Sequence, residues 1–500
     1  MNKIAIAFLY AVLLLPFVSR AQTAPGAPPQ QPEPESVSSV ELKGKVPVNP
    51  ETLRVKLPRP QEAVLSNGLR IFLLEDRELP TFTLQLIVGG GGLADPPDKR
   101  GVAMVTAALL REGTKERTSR EIAEQLAALG ASFSAGASPS SGETGIRVSG
   151  LRDHLDAVLA IAADVIRNPA FPDDELSKFK SRFASQLQYQ RSRPTFIVQE
   201  QFMRAIYAEH PGSYVVPPES VIEALTAADL MKYHGNHYKP NNAFLLAHGD
   251  MALKDLTASL ERALGEWEKG ATPTVELPDL TSPKEARVHI VDRPGSVQTS
   301  LRVGTLGIER ASEDYFAVLV MNHILGGGPA SRLFTNLRED KGYTYGVSST
   351  FTGSTFPGVL VASTDVRTDV TEGALHELTR ELQRLIEEPV PARELETAQR
   401  ALVGRFALSL DSPQTLLSNL AIQRIYGFPD DYWDTYPQHV RAVTAKDIQR
   451  VAKKYLAADR LQFVAVGDAK SIRKTLEAYG YVQPPRFGPE PQSPSSASEP

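Results

Sequence analysis

The chain contains no cysteine in 500 residues. Disulfides and thiol chemistry are therefore excluded, and the fold must stand on its own apolar core. Beyond the first twenty residues there is no apolar run long enough to cross a bilayer. The Gly-x-Ser-x-Gly elbow of serine hydrolases is missing. Gly89, Gly90, Gly91 and Gly92 lack the Lys-Ser/Thr ending of a phosphate loop and resemble one only superficially. Positive charge is also short, with 54 Lys and Arg against 59 Asp and Glu for a net of -5. That balance argues against nucleic acid or anionic lipid as a partner.

What is present begins with Lys3, an apolar run from Ile4 to Val18 and the small-residue site Ser19-Arg20-Ala21. This pattern predicts a secretory signal peptide over 1–21, with no permanent membrane anchor and a periplasmic destination. Residues 22–60 and 484–500 are rich in proline with glutamine, glutamate or serine, and are expected to be disordered tethers.

The middle of the chain repeats itself. Leu225-Thr-Ala-Ala-Asp-Leu230 matches Val443-Thr-Ala-Lys-Asp-Ile448, and Gly249-Asp250 matches Gly467-Asp468, both 218 residues apart. Pro194 with Ile206-Tyr207 falls over Pro413 with Ile425-Tyr426 at 219. Two tandem homologous domains are expected, 61–270 and 285–483, joined by an extended connector over 271–284 that carries Pro273, Pro278 and Pro283.

Each copy opens with strands and continues with helices. Asn67-Gly68 is a strong hairpin signal. Phe82, Leu84, Leu86 and Val88 alternate as in a strand, and a helix is expected over 102–111. Thr118 and Glu121 form a capping box, and 153–207 and 229–237 read as helical. The expected class is α+β, with mainly antiparallel sheets covered by helices on one face. His234 and His237, near a helix end, have no acidic or histidine partner at ligand spacing and read as structural. His323 faces Gly327 one turn on, so no metal pair is expected there.

The densest polar chemistry lies at 325–347, where Gly326, Gly327 and Gly328 precede a predicted helix over 331–340 with Leu333, Phe334 and Leu337 buried. Gly342 is expected to stop this helix, and Tyr343, Tyr345 and Val347 then alternate as in a strand. Arg338 and Tyr345 can therefore converge, a forked guanidinium beside a phenol, able to bind peptide carbonyls and support an oxyanion. The plainer alternative is a surface arginine and a half-buried tyrosine.

Several separated motifs carry a resemblance. They are Asp95-Pro96, Lys99-Arg100-Gly101-Val102-Ala103, Glu112-Gly113-Thr114, Tyr238-Lys239-Pro240-Asn241-Asn242, the Gly249-Asp250 strand end and the stretch around Arg338 and Tyr345. Together, across about residues 60–480, they resemble the pitrilysin, or insulinase, family, which includes the mitochondrial processing peptidases. The resemblance implies a clamshell half and a first-half helix carrying His-x-x-Glu-His, with a distant glutamate as third zinc ligand. Here the matching positions are Met104, Ala107, Ala108 and Phe179. Their side chains are no home for zinc, so this chain is expected to bind no cofactor and to hydrolyse nothing alone.

The family's second-half arginine and tyrosine, seven residues apart, are kept as Arg338 and Tyr345. By resemblance they contact substrate backbone near the scissile carbonyl, across a chamber from zinc held by another subunit. The implied partner is a similar exported polypeptide with an intact zinc motif, and the implied substrates are peptides. A second reading is a structural or peptide-binding pseudopeptidase with no proteolytic role. A third is a peptidase with an unorthodox metal site.

Overall fold

The computed structural model describes residues 53–483. The expected signal peptide, most of the proline-rich 22–60 segment and the 484–500 tail lie outside the described residues.

Twelve strands form two six-stranded sheets. The first contains β1 (Gln61–Val64), β2 (Arg70–Glu75), β3 (Thr81–Gly89), β4 (Ser132–Ala137), β5 (Glu143–Leu151) and β6 (Ala243–Gly249), in the order β1-β2-β6-β3-β5-β4. The second contains β7 (Arg287–Asp292), β8 (Gln298–Leu306), β9 (Thr344–Phe351), β10 (Val359–Arg367), β11 (Gln462–Gly467) and β12 (Tyr481–Gln483), in the order β12-β7-β11-β8-β10-β9. Among the described residues only the β2–β6, β7–β11 and β7–β12 pairings are parallel.

Local chemistry sets the elements. β1 and β2 pair with Val64 opposite Arg70, and Gly68 takes φ +83° in the turn between them. An L side chain resists that conformation. The repeat shows in equivalent devices. Thr226 and Thr444 each cap a helix by accepting from the backbone N–H three residues on, while Asp229 and Asp447 reach back to complete the box. Pro194 and Pro413 each sit in a helical first turn, where the missing N–H costs nothing.

Boundaries differ from expectation in places. The helix expected over 102–111 ends at Leu109, and the helical stretch 153–207 is three helices, Leu155–Arg167, Asp173–Arg191 and Pro194–Tyr207.

Helices cover each sheet on one face, but the other face is covered too, by a helix from the opposite half. Val198, Phe202 and Ile206, one turn apart on helix Pro194–Tyr207, pack with Leu306, Val361, Val464 and Val466 of the second sheet. Leu417, Leu420 and Ala421 on helix Pro413–Ile425 pack with Phe72, Leu74 and Leu246 of the first. Strand parity follows from this sandwiching. On β11, Phe463 and Ala465 enter the second-half core while Val464 and Val466 meet the crossing helix. Gly304 on β8 makes room, since a Cβ there would lie 3.0 Å from the Phe202 ring and 2.2 Å from the Leu360 carbonyl oxygen. Such burial contributes roughly 1.5–3 kcal/mol per large apolar side chain. The exchange was not legible because both helices read as parts of their own halves.

Within the second half, Asp314 fastens helix Ala445–Tyr455 to the start of helix Tyr315–Gly326. Its carboxylate accepts from Arg450 Nη1 at 2.6 Å, Lys454 Nζ at 2.8 Å and the Tyr455 hydroxyl at 2.7 Å. Burial pushes this carboxyl up, but the hydrogen bonds from Lys454, Tyr455 and Arg450 together outweigh it and bring it down to about 2.

Two outcomes are expected. Phe202 is 0% exposed, so Phe202→Ala should lower unfolding free energy by about 3–5 kcal/mol in urea titrations; a loss near zero would mean that the crossing helices do not fasten the halves. Because the Asp314 carboxyl sits at about 2 against an ordinary 3.8, its stabilisation is complete above 3.8 and disappears as pH falls through about 2. Wild type should therefore exceed Asp314→Asn in thermal stability at neutral pH, and the gap should close on acidification.

Candidate functional site

The helix that the family resemblance matches to zinc ligation starts on a buried carboxylate. Asp95 accepts from the backbone N–H of Gly101 at 2.6 Å and of Ala103 at 2.9 Å, fixing the start of helix Val102–Leu109. Burial pushes the Asp95 carboxyl up to about 6, against the opposing effect of those two bonds. Yet the side chains this helix carries are inert. Met104 packs on the edge of the first-half core, Ala107 is buried and Ala108 is half-buried.

Phe179, on helix Asp173–Arg191, stacks on Phe183 with centroids 6.2 Å apart and also packs on that core. Thioether, methyl and phenyl groups offer no imidazole, thiolate or carboxylate. The residues present do not fit zinc.

The remaining sequence candidates in the first half are engaged by protein groups. His234 Nε2 lies 2.7 Å from the Ile166 carbonyl oxygen and its ring stacks on Tyr238. Burial drives its pKa down to about 4. His237 stacks on Tyr233 at 4.3 Å. The glycines at 89–92 pass their carbonyl oxygens to protein donors. Asn242 Nδ2 reaches Gly89, the Tyr233 hydroxyl reaches both Gly90 and Gly91, and the Thr144 hydroxyl also reaches Gly90.

Arg338 and Tyr345 are brought together. The turn that carries Arg338 is a π-helix, Phe334–Asp340, in place of the expected ordinary helix, and Phe334 is half-buried where full burial was expected. Leu333 and Leu337 anchor it in the core. Buried Asn336 holds it further, donating to Glu377 Oε2 at 2.9 Å and Glu381 Oε1 at 2.8 Å. Lys341 N–H bonds the Asn336 carbonyl at 3.0 Å, spanning five residues. The wide turn is the physical reason that helical spacing misplaced Phe334.

The Arg338 guanidinium carbon lies 4.7 Å from the Phe334 ring centroid and 4.8 Å from that of Tyr345. Cation–π attraction to two rings orients the fork, and Glu339 Oε1 stands 3.3 Å from Arg338 Nε.

Tyr345 is 87% exposed rather than half-buried. The β9–β10 register slips between Thr364 and Val366, so Tyr345 loses the regular pleat that buries Val347. Thr344 stabilises the slip, its hydroxyl donating to the Asp365 carbonyl at 2.7 Å. A guanidinium fork and a phenol that face outward are two donors for carbonyl oxygen. Sequence reasoning took Phe334 only as a core residue. Its place four residues before an arginine was the available sign of a stacking role.

The misfit to zinc is testable by reversal. Met104→His, Ala107→Glu, Ala108→His and Phe179→Glu together should create zinc retention measurable by metal analysis after dialysis, while the parent chain retains none in stoichiometric amount. One tightly held zinc in the parent would contradict this assignment.

Residues 70–217 match the family model described as Insulinase (Peptidase family M16), and residues 224–402 match that described as Peptidase M16 inactive domain. The uncharacterized zinc protease YmxG of Bacillus subtilis is 24% identical over 395 residues, spanning 79% of this chain and 95% of that protein. A Helicobacter pylori protein named non-peptidase homolog YmxG is 22% identical over 400 residues, spanning 79% and 91%. The crystal structure of a peptidase M16 inactive domain from Pseudomonas fluorescens matches with TM-score 0.76 at 28% identity, covering 82% of this chain and 98% of that one. With both family models matched in succession, this chain belongs to the insulinase, or M16 peptidase, family as a half-sized member, with apolar side chains where the family resemblance expects zinc ligands.

Proposed function

We propose that this chain is the noncatalytic, substrate-binding subunit of an exported M16 zinc peptidase, donating Arg338 and Tyr345 to a site completed by a partner. The observation that carries this reading is the pair itself, a guanidinium pre-oriented between two rings beside a phenol that is 87% exposed. Apart from Arg338 Nε, which Glu339 holds at 3.3 Å, the donors of this pair can meet a ligand that arrives from outside the chain. The proposed partner is a similar exported polypeptide whose His-x-x-Glu-His holds zinc and supplies an activated water.

This chain's own contribution is electrostatic. Arg338 fixes the peptide through a carbonyl oxygen, and the Tyr345 hydroxyl donates to the oxygen that gains charge at the tetrahedral stage. The π-helix anchored by Asn336 keeps Arg338 in place, so little reorganisation is needed. Substrates are peptides, and the location is the periplasm, a reading supported by the leader-like first 21 residues. Among the described residues no helix is long and apolar enough to cross a membrane.

A second reading, a pseudopeptidase that binds peptides without any hydrolysis, draws support from the relative named a non-peptidase homolog. The two separate by kinetics. In the purified complex, Arg338→Ala and Tyr345→Phe should each lower kcat by about 10²-fold or more with KM changed less. Full activity in the double variant would refute the composite site.

A further inference from the structure

A second place in the chain has the makings of a binding site and lies outside the chemistry above. A cleft of about 560 Å³ opens between the end of helix Tyr315–Gly326, the glycine turn after it and helix Ala392–Ser409. That volume falls within the roughly 300–1,000 Å³ of small-ligand sites. Its floor is apolar, with Ile324 and Ala398 buried at the bottom.

Arg393, Thr397, Ala401 and Arg405 recur every fourth residue along one helix face and line the opening. This sets an arginine at each end, about 18 Å apart along the helix. Neither guanidinium has a carboxylate partner among the described residues. The acid in the wall, Glu394, is already neutralised, since Arg332, only 7% exposed, donates to it from Nε and Nη2 at 2.8 Å each. Ser331 is 3% exposed, lines the cleft and has an Oγ without a hydrogen-bond partner. His323 lies against the backbone of Gly327 and Gly328 and adds a hydrogen-bonding ring.

A ligand that satisfies these groups has anionic charge at both ends, an apolar middle and polar backbone between. An extended chain of about five residues spans 18 Å at roughly 3.4 Å per residue. We propose that this cleft binds a short extended peptide through its C-terminal carboxylate and an acidic side chain about four residues earlier, one on Arg393 and the other on Arg405. A simple alkyl carboxylate fits less well, because it leaves the Ser331 hydroxyl and one guanidinium unpaired. The site works independently of Arg338 and Tyr345, so it stands whether or not the composite peptidase does.

The test is calorimetric titration of the full chain with an acetylated pentapeptide that begins with glutamate, continues with alternating leucine and alanine, and ends in a free carboxylate. Saturable binding below about 1 mM is expected. Amidating the C-terminus, or replacing the glutamate by glutamine, should weaken it about fivefold, and so should Arg393→Gln or Arg405→Gln, as expected for exposed charge pairs. Both arginines are exposed, so these variants should fold, which circular dichroism checks. The proposal is overturned if the peptide does not bind, if the amide or the double arginine variant binds equally well, or if laurate binds as tightly.

Discussion

The structure depends on one reciprocal constraint, the exchange of helices between halves. Helix Pro194–Tyr207 of the first half closes the second sheet, and helix Pro413–Ile425 of the second half closes the first. Val464 and Val466 on one side and Phe72 and Leu74 on the other are covered by a helix of the opposite half. Burial of these side chains ties the stability of each sheet to both halves at once. Polar ties at the seam, such as the Tyr207 hydroxyl on the Pro357 carbonyl at 3.0 Å and Arg424 on Glu62 at 2.8 Å, add direction to an apolar joint.

On that scaffold the two halves have diverged in what they present. In the first, the helix that family resemblance matches to zinc ligation carries no side chain suited to zinc. Asp95 accepts from the N–H groups of Gly101 and Ala103 at the start of Val102–Leu109, and Gly101 takes φ +101° there, but the helix then carries Met104 at the core edge, buried Ala107 and half-buried Ala108. In the second half the investment runs the other way. A π-helix, a slipped strand register and a buried Asn336 bonded to two glutamates place one guanidinium between two rings. Wide helical turns and register slips weaken regular hydrogen bonding, and both occur around Arg338 and Tyr345.

Much of this was legible in the sequence, and the reasons differ by element. The Asn67-Gly68 turn and the capping box at Thr118 are local signals, and they were readable as such, whereas the helix start at Pro194 was read through. The convergence of Arg338 and Tyr345 was readable from spacing together with family resemblance. What stayed hidden is non-local or irregular. Nothing in the periodicity of Val198, Phe202 and Ile206 says which sheet they meet. The π-turn and the slip that exposes Tyr345 depend on Asn336 finding Glu377 and Glu381 and on Thr344 finding Asp365, partners at least twenty residues away in the chain.

The central claim is that a chain without zinc ligands works by lending Arg338 and Tyr345 to another subunit. Native mass spectrometry with metal analysis, on the protein purified from its own cell envelope, tests it most directly. A complex of about twice the chain mass, with a second related polypeptide and one zinc, is the predicted result. A zinc-free monomer or homodimer would contradict it, leaving peptide binding without hydrolysis as the role of the exposed pair.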